Sequence, residues 1–228
     1  MRSAWDWDFA REIFPELVNG MVVTVLSTLA GIVIAVFGGL FLALGRRAET
    51  RWVSYPFAWF IEFIRSTPLL IQLFFLFFAL PRVEFIPEFI RLMSAETALI
   101  VGLGIHYSCY ASEAYRAGID SVGKGQWEAS TALNLKPSTK WARVILPQGI
   151  PRSLPTLGNY FVGMFKDAPI GSSIGVAGVL FVARRIGSAT FRFVEPMTIA
   201  GLLFLVVSIP AAMSVRALER RVGYEAEE

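Results

Sequence analysis

The longest stretch without a charged residue, Leu17 to Gly45, decides what this chain can fold into. It exceeds the roughly 20 residues that cross a hydrocarbon layer. In lipid every backbone N–H and C=O must be bonded within its own segment, so such a run folds as a helix. With residues 17–45 as the first span, further apolar stretches at 52–81, 96–116, 153–175 and 197–216 predict an all-α polytopic membrane protein of about five transmembrane helices. A sixth segment arises if the chain turns back on itself near Pro169 and Gly171. A content of 55% hydrophobic and 17% charged residues fits this class and not a soluble domain. Membrane lipid is therefore one partner.

Other classes are excluded by what is scarce. One Cys and one His leave no disulfide framework and no metal-ligand set. A net charge of +3 gives no reason to invoke nucleic acid. The first sixteen residues carry Arg2 and Arg11 against Asp6, Asp8, Glu12 and Glu16, so they do not read as a cleaved signal peptide. With five spans, Lys and Arg divide 12 against 7 between the two sides, Arg65 and Lys166 lying within spans. The excess falls on the side holding residues 117–152 and the C-terminus, which predicts an N-terminus outside and a C-terminus inside. Within span one, Gly31, Ala35 and Gly39 recur at helical spacing beside Gly38, a pattern that lets two helix backbones approach closely.

The long polar loop, residues 117–152, contains Gly118-Ile119-Asp120-Ser121-Val122-Gly123-Lys124-Gly125. This matches a phosphate-binding P-loop until its last position, where Gly125 replaces the Ser or Thr that would hold magnesium. No strand precedes it, so the sequence argues against nucleotide binding here. The rest of the loop reads as two short helices. The first, Gln126 to Leu133, places Ala129, Ala132 and Leu133 on one face, with Asn134 where a left-handed residue closes a helix. The second begins at Pro137, a favoured first position, carries Trp141, Val144 and Ile145 on one face, and is expected to end or kink at Pro147. An amphipathic helix lying on the membrane and a docking element for a soluble partner both fit this pattern.

The same loop resembles the signature of the permease subunits of bacterial binding-protein-dependent ABC importers. That signature is Glu-Ala-Ala, three residues, Gly, nine residues, Ile-x-Leu-Pro. Here Glu128-Ala129-Ser130 is followed at the same spacing by Asn134 and by Val144-Ile145-Leu146-Pro147, with Ser130, Asn134 and Val144 as departures. Asn tolerates the left-handed conformation next best after Gly, so the turn should survive. A second block, Glu62-Phe63-Ile64-Arg65-Ser66-Thr67-Pro68-Leu69-Leu70-Ile71-Gln72, is similar to one found in the polar amino-acid branch, as are Leu157-Gly158-Asn159 and Lys166-Asp167. The resemblance covers about Val18 to the C-terminus. Together with the Trp5-Asp6-Trp7-Asp8 start, it leans toward ectoine and hydroxyectoine permease subunits.

The resemblance implies a type I importer permease in the bacterial inner membrane, forming half of a solute pathway. A second permease chain, identical or a sister, would complete it. Two separate ATPase subunits would hold the ATP and magnesium and dock on the loop, this chain binding no cofactor. An outer solute-binding protein would deliver a small polar, zwitterionic solute. Trp127, Glu128, Ala129, Leu133, Asn134 and Trp141 are then the ATPase-coupling residues. Glu62, Arg65, Thr67, Lys166 and Asp167 are the pathway residues. Charges inside a membrane are expensive and seldom idle, which supports the last set from physics alone. Ion pairing between helices and snorkelling of Lys166 are the structural alternatives. Two other functions remain open. A self-sufficient channel would need no ATPase. An intramembrane enzyme would rest on His106, Ser108 and Cys109, of which only Cys109 shares a helical face with His106, and no third group orients a base.

Overall fold

The computed structural model describes residues 5–225, and every regular element among them is helical. Helix α1 (Trp7–Arg46) has 40 residues, about 60 Å at 1.5 Å per residue, twice the thickness of the hydrocarbon layer. It starts ten residues before the uncharged run because Asp6 caps it, accepting the N–H groups of Asp8 and Phe9. Val22, Leu26, Leu29, Val33, Phe37 and Phe41 form an exposed stripe at intervals of three and four, the face offered to lipid. Gly31, Ala35 and Gly39 are buried instead.

They pack on α5 (Ala95–Asp120). A Cβ built on Gly39 would lie 2.6 Å from Ala111 Cβ, and one on Gly104 of α5 would lie 2.7 Å from Ile34. The small-residue pattern thus seats one helix against the other. Of the 26 residues of α5, 15 are buried. Its length spans the bilayer, yet it is less apolar than α1, because its surroundings are other helices. It runs four residues past the expected end at 116.

The second apolar stretch, expected as one span over 52–81, is broken. Helix α2 (Arg51–Arg65) and α3 (Leu69–Phe74), which runs on as a π-turn and a 3-10 turn to Arg82, meet at 105°. Pro68 supplies no N–H and adopts an extended ψ of 135°, so the helix cannot run through it. A short α4 (Glu88–Arg91) precedes α5.

The loop folds as α6 (Lys124–Ala132) and α7 (Pro137–Lys140). Pro147 neither ends nor sharply kinks the chain at this point. A π-turn, Trp141–Ile145, leads directly into α8 (Leu146–Asp167), where Pro147 occupies a first-turn position that needs no N–H. The expected loop is thus partly helical, and the helix that carries the fourth predicted span begins at Leu146, before residue 153. A 3-10 segment, Ala168–Ile174, ends at Gly175 with φ 89°, and α9 (Val179–Thr190) continues at 46° to the preceding helical segment. The chain does not reverse at Pro169 and Gly171, which lie within the 3-10 segment; it bends after Ile174, at residues 175–178. Helix α10 (Val194–Glu225) closes the fold. By length and composition, α1 and residues 194–217 can each cross a membrane, and the two bent pairs raise that number to four.

Polar staples fix both ends of the bundle. At the N-terminal end, Arg192 donates to Asp6 at 3.2 Å and to Glu195 at 2.6 Å, while the Asp6 N–H donates to Glu195 at 3.1 Å. Three backbone and side-chain donors thus hold the Asp6 carboxyl below its usual range, the N–H of Phe9 foremost. Arg185 pairs with Glu16. At the opposite end, which carries the loop, Arg46 pairs with Glu113 and Arg47 with Asp120.

Candidate functional site

The break in span two lies beside α5 in the middle of the bundle, where a helix end would leave carbonyls bare. Gln72 supplies what is missing. Its side-chain amide donates to Ile64 O at 2.7 Å, Thr67 O at 3.0 Å and Thr67 Oγ1 at 2.7 Å. Thr67 Oγ1 donates back to Phe63 O at 3.0 Å. The amide oxygen of Gln72 then faces His106 Nδ1 at 3.0 Å. In a membrane protein irregular backbone is tolerated where other protein groups satisfy it, and Gln72 satisfies this break. Thr67 is therefore part of the clamp, a role beyond the pathway contact expected of it.

From His106 a chain of rings runs along α5. Tyr107 and Tyr110 lie 5.5 and 5.1 Å from His106 between ring centroids, and Tyr160 of α8 stands 5.6 Å from Tyr110. Positions 106, 107 and 110 share a helical face, which brings these side chains together. At one end of the strip Tyr107 Oη donates to Asp167 at 2.7 Å. At the other, the Arg65 guanidinium lies 5.5 Å over the Tyr110 ring.

The four expected pathway charges are thus separated into two groups. Arg65 meets Glu113 of α5 at 3.5 Å and its neighbour Glu62 only at 4.0 Å, so the anticipated pairing within one helix is the weaker contact. Glu113 collects Arg46, Arg65 and Arg116. Asp167 belongs to the tyrosine strip, and Lys166 makes no ion pair among the described residues. Glu62, Lys166 and Asp167 are exposed on the isolated chain. So are Arg152, Thr156 and Asn159, which recur at intervals of four and three along α8. Arg152, at the loop end, donates to Ser121 O of its own chain, while polar groups such as Thr156 and Asn159 are costly against hydrocarbon.

The loop residues also divide. Asn134 has φ 49°, the left-handed turn that the sequence required. Its N–H bonds Thr131 O at 2.9 Å and the Leu135 N–H bonds Ser130 O at 3.1 Å, the paired 5→2 and 6→1 bonds of a Schellman motif. Glu128, Ala129, Ala132 and Leu133 are exposed, Leu133 by 73%. Trp127 and Trp141, expected on the same docking surface, turn inward. They meet edge to face at 5.5 Å and pack on Ile119, Val122 and Ile145. Between them and the end of α1 lies a groove of about 620 Å³, lined by Arg47, Glu49, Asn134 and Lys140 among others.

Tyr107, Tyr110, Glu113 and Tyr160 were not singled out by sequence, Gln72 appeared only as the end of the second block, and His106 only in a catalytic reading. The break at Pro68 and the 106, 107, 110 spacing were the signals available. Cys109 is fully buried, and Ser108 bonds Gly104 O at 2.7 Å and Ile34 O at 3.2 Å. Neither is placed with His106 as a nucleophile and base.

Known proteins agree with this architecture. Residues 31–224 match the family described as the binding-protein-dependent transport system inner membrane component. A probable amino-acid ABC transporter permease protein, y4tG of Sinorhizobium fredii (strain NBRC 101917 / NGR234), is 42% identical, the match covering 96% of this chain and 95% of the relative. The arginine transport system permease protein ArtQ of Bacillus subtilis (strain 168) is 30% identical, over 94% and 97% of the two chains. A crystal structure of an amino acid ABC transporter with histidines superposes with a TM-score of 0.84 at 33% identity, covering 95% of this chain and 99% of that one. The chain belongs to the binding-protein-dependent inner membrane components. It is a non-catalytic, multi-pass inner-membrane permease subunit of an ABC importer, a system that implies ATPase and binding-protein partners.

Proposed function

We propose that this permease subunit forms half of the pathway for a small zwitterionic solute of the amino-acid class. Five membrane segments build it: α1, the broken pair α2 and α3, α5, α8 and α10. The solute passes along the strip from Arg65 through Tyr110 and Tyr107 to Asp167, bounded by the polar stripe of α8. The observation that carries this reading is the Tyr107 to Asp167 bond at 2.7 Å, close to the 105° bend between α2 and α3. It holds a carboxylate ready for the solute's cationic group. Arg65, stacked on Tyr110, offers the opposite sign for a carboxylate. Relatives that carry amino acids support the class of solute. Ectoine, a zwitterion of similar size, falls within it.

ATP is bound and hydrolysed by the partner ATPase subunits, which dock on the exposed face of α6 at Glu128, Ala129 and Leu133. Trp127 and Trp141 stiffen the helix from behind, and the Asn134 turn sets its angle. A second permease chain, identical or a sister, covers the exposed Glu62, Lys166 and the α8 stripe. The N-terminus lies outside and the C-terminus inside, in line with the excess of Lys and Arg at the loop end. The test is ATP-driven uptake by the assembled complex in proteoliposomes, across a panel of zwitterionic amino acids, ectoine and the uncharged N-acetyl amides of the same amino acids. Uptake confined to zwitterions is expected. Equal uptake of uncharged analogues would overturn the assignment of solute class.

A further inference from the structure

His106 is the chain's one histidine, and the solute path from Arg65 to Asp167 does not yet give it work. It is 8% exposed and sits between the clamp at the helix break and the tyrosine strip. Gln72 decides its protonation pattern. The Gln72 amide nitrogen meets three oxygens, Ile64 O, Thr67 O and Thr67 Oγ1, so both of its hydrogens are committed there. Reversing the amide would set its oxygen against two carbonyl oxygens. The group facing His106 Nδ1 is therefore the Gln72 carbonyl oxygen, which only accepts. Nδ1 must carry the hydrogen. In the neutral ring Nε2 is then a bare lone pair. Nε2 has no hydrogen-bond partner among the described residues, and it is not sealed from solvent.

We infer that His106 is a solute-binding residue, locked by Gln72 as the Nδ1–H tautomer so that Nε2 accepts an N–H from the solute. Tyr107, the next residue, donates to Asp167, so adjacent positions on α5 each orient an acceptor, the Asp167 carboxylate and the His106 Nε2. Asp167 receives charge and His106 receives direction. An N–H donor on the solute satisfies Nε2, whereas a solute with only acceptors at that point leaves two lone pairs opposed. The lock also ties recognition to the break in span two, because the amide that orients the ring is the one that closes the helix end. The identity of the site as a solute path is taken from the proposed function; the tautomer does not depend on it.

With one histidine, the test can be read at a single residue. The full chain, assembled with its ATPase in lipid nanodiscs and labelled with ¹⁵N-histidine, is compared by difference spectroscopy with the His106→Gln variant. A protonated Nδ1 and an unprotonated Nε2 are expected, with the Nε2 resonance moving on addition of L-arginine, L-glutamine or ectoine, whichever the complex transports. His106→Phe should raise the KM for that probe about tenfold or more, with little change in maximal rate. An Nε2–H tautomer or an imidazolium overturns the inference. So does an Nε2 signal that a transported probe leaves unmoved. Should the complex transport none of these probes, the reading of solute class fails, while the tautomer still upholds or overturns the lock.

Discussion

The turn at Asn134 fixes the angle at which α6 is presented, and replacing the residue by Val or Gly tests that. At φ 49° a non-glycine residue other than Asn or Asp is disfavoured by roughly 1 to 2 kcal/mol, more for a β-branched side chain. The turn is held by two backbone bonds, at 2.9 and 3.1 Å, each contributing about 0.5 to 1.5 kcal/mol. Strain from Val is thus close to the roughly 1 to 3 kcal/mol that the bonds return. Asn134→Val should reduce the population of the closed turn about 5- to 30-fold. Asn134→Gly adopts the same φ freely and should stay within about 0.5 kcal/mol of the parent. Asn134 is exposed, so neither change disturbs a core. The assay is recovery of the ATPase with the affinity-purified permease, together with solute-stimulated hydrolysis. Loss with Val and retention with Gly is the expected pattern. Equal recovery with both would show that the left-handed turn does not govern docking.

Three other perturbations probe the geometry. Tyr107→Phe and Asp167→Asn should each raise the KM for the transported zwitterion at least about tenfold, measured as ATP-driven uptake, because a charge-assisted bond is worth about 1.5 to 3 kcal/mol; unchanged KM in both would remove them from the path. Gly39→Leu would drive a side chain into Ala111, 2.6 Å from a Cβ at that position, and should lower the melting temperature of the detergent-solubilised chain, where Gly201→Ala, whose Cβ meets nothing within 4 Å, serves as the comparison. The Asp6 carboxyl is held below its ordinary value of 3.8, so its contribution is present above that pH and is lost as pH falls through the lower folded value. Thermal stability should therefore decline with acidification in that range, and less so in Asp6→Asn.

Much of the frame was legible in the sequence because burial in lipid and close helix packing are read by composition. The Gly31, Ala35, Gly39 series announced a close helix contact, whose partner the fold shows to be α5, and Asn134 announced its turn. Proline was harder to read. Pro68 broke a span expected to be straight, whereas Pro147 passed into a helix expected to stop there, since its effect depends on whether its missing N–H falls at an end or in the interior. The site was read through its charges, which are rare in membranes and so conspicuous. Of its uncharged members only Thr67 was read, because a Tyr on an apolar helix looks like packing until the fold shows Tyr107 against Asp167, and Gln72, quoted in the second block, had no role until the fold set it across the break. The tryptophans misled for a related reason: amphipathic spacing cannot say which of two apolar surfaces, a partner's or the chain's own, a ring will meet.

The most direct test of the account is accumulation of solute in proteoliposomes by the permease with its ATPase and binding protein, comparing the parent chain with one carrying a residue inserted between Ala129 and Asn134. The account predicts uphill, ATP-dependent uptake by the parent and none by the insertion variant, which would still enter the membrane but no longer retain the ATPase. Uptake that proceeds without the ATPase, or that survives the insertion at the parental rate, would contradict it.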